Sequence, residues 1–200
     1  MLRWRRSRRT LVASLRQSYA APRSRNDPPF ITQLTGITND MVASAPPAGQ
    51  VMADAARFVG DTPLVAHNAG FDRRFWQEEL ARAGQPADQP FACTVLLSRR
   101  LYPDAPSHKL GSLIDWFDLP RTGQAHRALA DAEMAAELLG RIRHDLMMRH
   151  GIARPDHAFL RALQACTTRQ LPRFMAQHGR PVDQPPLERQ DTTAATAEAS

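Results

Sequence analysis

The chain has 200 residues, of which 42% are apolar, and this is enough for one domain with a sizeable buried core. No stretch approaches the ~20 consecutive apolar residues that a membrane span needs. The two cysteines, Cys93 and Cys166, suit neither a disulfide framework nor a zinc cluster. The composition therefore excludes a membrane protein and predicts a protein of the cytoplasm, a reducing compartment.

The formal net charge of +6 is unevenly distributed. Residues 1–26 contain eight arginines and no acidic residue. Removing these eight from the 26 basic residues leaves 18 against 20 acidic residues, so residues 27–200 carry a net charge of −2. A basic arm can attract nucleic acid electrostatically, but the rest of the chain is not basic.

The first half of the chain predicts strands alternating with helices. Apolar residues alternate over 10–20, which predicts an extended segment, and a proline-rich loop follows. A helical pattern ends at Val59, and residues 63–67 form a short apolar run that predicts a buried strand ending in a turn at Asn68. The next helix is predicted over 70–83, with Gly84 ending it.

The second half is mostly helical. A strand is predicted near 91–95, passing into a helix up to Leu101, and another helix begins near Lys109. The clearest apolar period predicts a long helix over 127–149. Further predicted elements are two short helices, around 158–166 and 170–178, and a polar, proline-containing tail that we expect to be disordered over 181–200. The alternation predicts an α/β fold with helices packed on a sheet.

Glycine-rich nucleotide-binding motifs and the hydrolase nucleophile motif are absent from the sequence. The ten glycines are at least ten positions apart from one another, so a G-x-G-x-x-G motif, a G-x-S-x-G motif and a P-loop are all absent. The common dinucleotide-binding and acyl-transfer functions are therefore excluded.

A first group of candidate site residues lies at 65–72, with the sequence Val-Ala-His-Asn-Ala-Gly-Phe-Asp. Asp72 is predicted in the first turn of a helix, beside the carboxyl end of a strand, where open α/β sheets usually have their sites. The alternative interpretation is a carboxylate that is merely stabilised by the helix N-terminus.

A second group lies at 124–132, where His126 precedes the long helix and Asp131 flanks its apolar stripe. A histidine about one turn from a half-buried carboxylate suits a general base beside a metal-binding acid. The alternative interpretation is a solvated aspartate and a loop histidine with no catalytic role.

Taken together, these groups resemble the second and third motifs of the DEDDh exonuclease superfamily, which includes RNase T and the proofreading epsilon subunit of bacterial DNA polymerase III. Three further segments also resemble the family. Residues 30–38 resemble the loop that leads into its first helix, and residues 91–94 and 107–110 resemble its middle strand and the helix that follows. The resemblance covers about residues 10–150. It implies a ribonuclease H-like fold, with a mixed sheet flanked by helices.

The resemblance also implies a function, which is metal-dependent 3′–5′ hydrolysis of nucleotides from nucleic-acid 3′ ends. It makes Asp72 and Asp131 metal-binding carboxylates and His126 the general base, while Asn68 and Phe71 line the pocket for the terminal nucleotide. The cofactors would be two Mg²⁺ or Mn²⁺ ions ~4 Å apart. The partners would be single-stranded 3′ ends and a DNA polymerase.

Three parts of the chain follow from this assignment. Residues 1–150 would form the exonuclease-like domain, 151–180 a C-terminal helical extension and 181–200 a disordered tail.

The sequence departs from the family pattern at its beginning. The family starts with a strand bearing an Asp-x-Glu pair, but this chain has no acidic residue before Asp27, which lies in a proline-rich loop. We therefore expect the N-terminal strand to be missing and the sheet to lack one central strand. Two carboxylates carry −2 against +4 for two divalent ions, which predicts weak metal binding.

Three explanations of this departure stay open. The chain could start too late in its gene, so that the acidic strand is encoded upstream. It could instead be a catalytically inactive module that binds nucleic acid or docks on a polymerase. The arginine-rich opening could also be an organelle-targeting peptide.

Overall fold

A computed structural model describes residues 45–121 and 128–179, the pair Leu11–Val12, and four single positions, namely Gln33, Thr38, Asp40 and Ala43. The predicted tail 181–200 and the predicted general base His126 lie outside these residues, as does most of the segment 10–20.

The described strands form one small parallel sheet. They are β1 (Leu11–Val12), β2 (Leu64–Ala66) and β3 (Phe91–Cys93), and β2 lies between the other two. The two strands predicted at 63–67 and 91–95 are confirmed, although β3 ends at Cys93 because a helix begins at Thr94. An antiparallel strand, which a mixed sheet requires, is not among the described residues.

Seven helices in the described residues coincide with the helices that the apolar periodicity predicts. They are α1 (Ala48–Val59), α2 (Ala69–Arg82), α3 (Thr94–Leu101), α4 (Leu110–Trp116), α5 (Ala128–His150), α6 (His157–Ala165) and α7 (Leu171–His178). Gly84 follows α2 with a φ of 65°, a left-handed conformation that glycine adopts without steric cost, so the predicted end of this helix is confirmed. None of the helices in this part of the chain combines the length and the apolar character needed to cross a bilayer.

The sheet separates two apolar layers, because successive strand residues point to opposite faces. On one face, Leu64 and Ala66 pack with Met52 of α1 and with Trp76 and Leu80 of α2. All five side chains are at least 99% buried. This layer places α1 and α2 on the same side of the sheet.

The opposite face carries the larger layer. Val65 of β2 and Ala92 of β3 pack with Ile142 of α5 and Leu160 of α6, and side chains of α3 and α4 complete this cluster. Because Leu160 belongs to the same core as the strands, α6 packs directly on the sheet. The described fold is thus a three-layer α/β/α arrangement, as the sequence predicts.

Gln164 of α6 closes the outer edge of β3. Its side-chain Oε1 accepts a hydrogen bond from the backbone N–H of Cys93 at 2.7 Å, and its Nε2 donates to the carbonyl oxygen of Phe91 at 3.4 Å. One amide side chain therefore satisfies the two backbone groups that an additional strand would otherwise pair with.

We expect Gln164→Ala to lower the free energy of unfolding by about 1–3 kcal/mol, because the buried N–H of Cys93 would lose its acceptor. Chemical denaturation of the purified chain measures this change. Gln77→Ala, at an exposed position of α2, is the matched control and should leave the midpoint unchanged. Equal effects of the two substitutions would contradict the assigned role of Gln164.

A buried carboxylate, Asp145 of α5, lies beside the larger apolar layer and binds three side chains. Asp145 is 3% exposed and accepts a hydrogen bond from the hydroxyl of Tyr102 at 3.0 Å. It also pairs with Arg141 at 2.9 Å and with Arg149 at 3.4 Å. The guanidinium of Arg141 lies 4.5 Å from the ring centroid of Phe117, and burial raises the pKa of Tyr102 well above its usual value.

His157, at the start of α6, gives the fold a dependence on pH. Its Nε2–H donates to the carbonyl oxygen of Leu64 at 3.0 Å, and burial lowers its pKa below the ordinary 6.5. The folded state then binds fewer protons than the unfolded state, so the free energy of unfolding should fall as the pH drops below about 6.5. In denaturation experiments between pH 8 and 5, His157→Gln should show a shallower decline than the unmodified chain. Parallel profiles would contradict this assignment.

Candidate active site

The turn after β2 is built around Asn68, which has φ 68° and ψ 46°. Asparagine tolerates this left-handed conformation better than most residues do. The turn brings the backbone N–H of Phe71 to the carbonyl oxygen of Asn68 at 3.0 Å and so starts α2. Asp72 therefore lies in the first turn of α2, where the helix dipole favours a carboxylate, and its side chain is 1% exposed.

His67 fixes this turn to two neighbouring elements. Its Nε2 lies 3.0 Å from the carbonyl oxygen of His108 and its Nδ1 lies 2.9 Å from the hydroxyl of Thr94. Because a carbonyl oxygen only accepts, Nε2 carries a hydrogen and donates it. One imidazole ring thus connects the end of β2, the start of α3 and the segment before α4.

The ring of His108 makes a second connection to α3. The hydroxyl of Ser98 donates to the carbonyl oxygen of Val95 at 3.0 Å, so the Nδ1–H of His108, at 3.1 Å, donates to the Ser98 oxygen. These contacts hold the segment 107–110 against α3.

A cavity of about 980 Å³ opens beside these residues. Asn68, from the turn after β2, and Asp131, from the first turn of α5, both line it. These two residues belong to the two sequence motifs, which are more than 60 positions apart. The fold therefore brings parts of both motifs to one cavity at the carboxyl end of the parallel strands, where sites of α/β sheets usually lie.

The other predicted site residues lie differently. Asp72 is almost completely buried and is not among the residues that line the cavity, and Phe71 is 53% exposed and lines neither this cavity nor its smaller neighbour. His126 lies outside the described residues.

Three cationic side chains of the cavity wall were not predicted as site residues. They are Arg99 of α3, Lys109 just before α4, and Arg121. A signal existed for Lys109, the single lysine of the chain, because segment 107–110 resembles the family. Arg99 and Arg121 carry no such signal, since their approach to the cavity depends on tertiary packing.

The charges in the cavity are only partly balanced. Arg121 forms a two-pronged ion pair with Asp115, at 2.8 and 2.6 Å, and this pair holds the pKa of Asp115 below its usual value. Within residues 45–121 and 128–179, Arg99 and Lys109 have no acidic partner. Burial lowers the pKa of His108, and the positive charge of Arg99 lowers it further. The cavity is therefore suited to an anionic ligand.

Comparison with known proteins places the chain in a family. The family model described as "Exonuclease" matches residues 9–139, so the chain belongs to the exonuclease family, and its motifs are of the DEDDh type of 3′–5′ exonuclease.

Similar curated proteins include PolC-type DNA polymerase III from Halalkalibacterium halodurans, 40% identical over 120 residues, and from Bacillus subtilis, 41% identical over 111 residues. These matches cover 60% and 54% of this chain, but the chain spans only 8% of the length of either polymerase. Among solved structures, Exonuclease X in complex with 5′ overhanging duplex DNA is 31% identical, with a TM-score of 0.46 over 58% of this chain and 65% of that chain.

The family generally uses divalent metal ions, and the described donors fit a pair of such ions poorly. In the part of the chain that the structure describes, no three His, Cys, Asp or Glu side chains come together in a group that could hold a metal ion. The two motif carboxylates, Asp72 and Asp131, would oppose only −2 to the +4 of two divalent ions. Hard cations held by oxygen ligands need more negative charge than this.

Proposed function

We propose that the chain is the nucleic-acid-binding body of a 3′–5′ exonuclease and that its large cavity receives the 3′-terminal nucleotide of a single strand. The observation that carries this proposal is the convergence of Asn68 and Asp131 on one cavity whose wall includes Arg99 and Lys109. The phosphate of a terminal nucleotide matches the two cationic groups, and Asn68 can hydrogen-bond to its base or sugar.

The proposed roles of the motif residues follow the family resemblance. Asp72 and Asp131 are the metal-binding carboxylates, for Mg²⁺ or Mn²⁺, and Asn68 and Phe71 bind the terminal nucleotide. His126 is the general base, because histidine is the side chain best suited to accepting a proton near neutral pH. Hydrolysis assisted by two metal ions requires more carboxylates at the site than Asp72 and Asp131 alone.

A second candidate function is binding without hydrolysis. Two observations favour it. The described residues supply few ligands for metal ions, and Arg99 and Lys109 can attract a phosphate without a metal ion. Under this alternative the chain docks on nucleic acid or on a DNA polymerase. A polymerase partner is proposed because the PolC-type relatives are polymerases. We place either function in the cytoplasm, where the free thiols of Cys93 and Cys166 stay reduced.

The position of a label on the substrate tests the exonuclease proposal. Single strands carrying a label at the 3′ or the 5′ end are incubated with Mn²⁺ and with the chain supplied with an Asp-x-Glu strand ahead of Met1. We expect labelled mononucleotide from the 3′-labelled strand at the earliest times, and progressively shortened strands from the 5′-labelled one. Internal cleavage, or earlier release of the 5′ label, would contradict the proposal.

A further inference from the structure

His67 stands between two parts of the chain that line the large cavity. It precedes Asn68 in the turn after β2, and its Nε2–H donates to the carbonyl oxygen of His108 at 3.0 Å. That carbonyl belongs to the peptide unit that joins His108 to Lys109. Because Asn68 and Lys109 both line the cavity, one imidazole ring connects the backbone of the two residues that are proposed to bind the terminal nucleotide.

The hydroxyl of Thr94, at the start of α3, orients this ring. It lies 2.9 Å from Nδ1 of His67, and Thr94 is completely buried. In a neutral imidazole whose Nε2 carries the hydrogen, Nδ1 accepts, so the Thr94 hydroxyl donates to it. A second acceptor near this hydroxyl, the carbonyl oxygen of Ala66, is more distant at 3.5 Å. Both ring nitrogens of His67 are therefore engaged by protein groups, which suits a ring that orients its neighbours.

Lys109 depends on its backbone for its position in the cavity. Its side chain is exposed and has no acidic partner in the described part of the chain. The place of its ammonium group is then set by the segment 107–110. The bond from His67 attaches this segment to the end of β2, next to Asn68.

We propose that His67 is a positioning residue of the large cavity, which acts through the peptide unit of His108 and Lys109 to hold the ammonium group of Lys109 in place relative to Asn68. This inference rests on the proposed function, because it takes Asn68 and Lys109 as ligands of the terminal nucleotide. Groups that are already held in place lose less conformational freedom on binding, so they bind more tightly than mobile groups.

Two amide substitutions separate the bond to His108 from the rest of the ring. Glutamine can place an amide N–H near the position of Nε2, whereas the shorter asparagine reaches only the position of Nδ1. The probe is an eight-nucleotide oligothymidylate with a fluorophore at its 5′ end, whose anisotropy is followed in EDTA, which prevents hydrolysis. We expect His67→Asn to weaken binding by about tenfold, because one hydrogen bond is lost, and His67→Gln to bind nearly as the unmodified chain does.

A double-mutant cycle with Lys109 distinguishes positioning from a general loss of structure. Lys109→Gln alone should weaken binding, because it removes a cationic contact to phosphate. In the His67→Asn chain the same substitution should add little, because Lys109 is then already displaced. Thr94→Val removes the hydroxyl that orients the ring and should give the same non-additive result, which keeps the test decisive where His67→Asn does not fold. Additive effects would overturn the inference.

His144→Asn is the matched control. His144 is exposed on α5 and lines neither cavity, so the same replacement there should leave the affinity unchanged. The basic residues 1–26 are present in every variant and cancel in the comparison. If Lys109→Gln weakens binding while His67→Asn and His144→Asn behave alike, the positioning role fails and the proposed function stands. If the unmodified chain does not bind the strand even at low salt, both fail together.

Discussion

The 200-residue chain should release little or no nucleotide from a 3′-labelled single strand, even in excess Mn²⁺, whereas the same chain supplied with an Asp-x-Glu strand ahead of Met1 should degrade it. We expect the two rates to differ by several orders of magnitude. The physical reason is charge, because Asp72 and Asp131 alone cannot balance two divalent ions. Losing the metal ions removes both the activation of water and the stabilisation of the leaving oxygen.

A strand with the family's Asp-x-Glu pair is fused ahead of Met1, and the rates are compared by resolving the labelled products on a gel. His126→Ala in the extended chain should abolish most of its activity, since the proposed general base is then absent. Robust Mn²⁺-dependent digestion by the 200-residue chain itself would show that the Asp-x-Glu pair is not required.

The largest expected effect on stability is at Asp145. Asp145→Ala should lower the free energy of unfolding by about 3 kcal/mol or more, because it leaves the hydroxyl of Tyr102 and the guanidinium of Arg141 without their buried acceptor. The four-residue spacing of Arg141, Asp145 and Arg149 also places all three side chains on one face of α5.

Asp115→Ala is the matched control for Asp145→Ala. It also removes an aspartate that is paired with an arginine, but that pair is exposed, and exposed pairs contribute little to stability. Chemical denaturation of both variants gives the comparison. If the two substitutions lowered the free energy of unfolding equally, burial would not be what makes Asp145 important.

The helices were predictable because their apolar residues repeat with a clear period. The long helix α5 shows this best, since its buried positions Ala135, Leu139, Ile142 and Leu146 recur every three or four residues. Short apolar runs were enough for β2 and β3 because both strands are buried on both faces. The local pattern of apolar residues was therefore enough to predict most of the helices and strands.

The two neighbouring cavities could be predicted only in part. Asn68 and Asp131 stand in recognisable motifs, whereas Arg99, Arg73 and Gln164 come from three helices that meet only in the folded chain. Gln164 in particular acts through the edge of β3, more than 70 positions away, and nothing in its local sequence indicates that partner. Tertiary contacts of this kind have no periodic signature.

The most direct test of the proposed site compares two aspartates that line the same cavity. In the extended chain, the rate of nucleotide release from a 3′-labelled strand is measured for Asp131→Asn and for Asp115→Asn under single-turnover conditions. We expect Asp131→Asn to reduce the rate by several orders of magnitude, because it removes a metal-binding carboxylate, and Asp115→Asn to leave the rate nearly unchanged, because its partner is Arg121. Equal rates for the two variants would contradict the assignment of Asp131 to the active site.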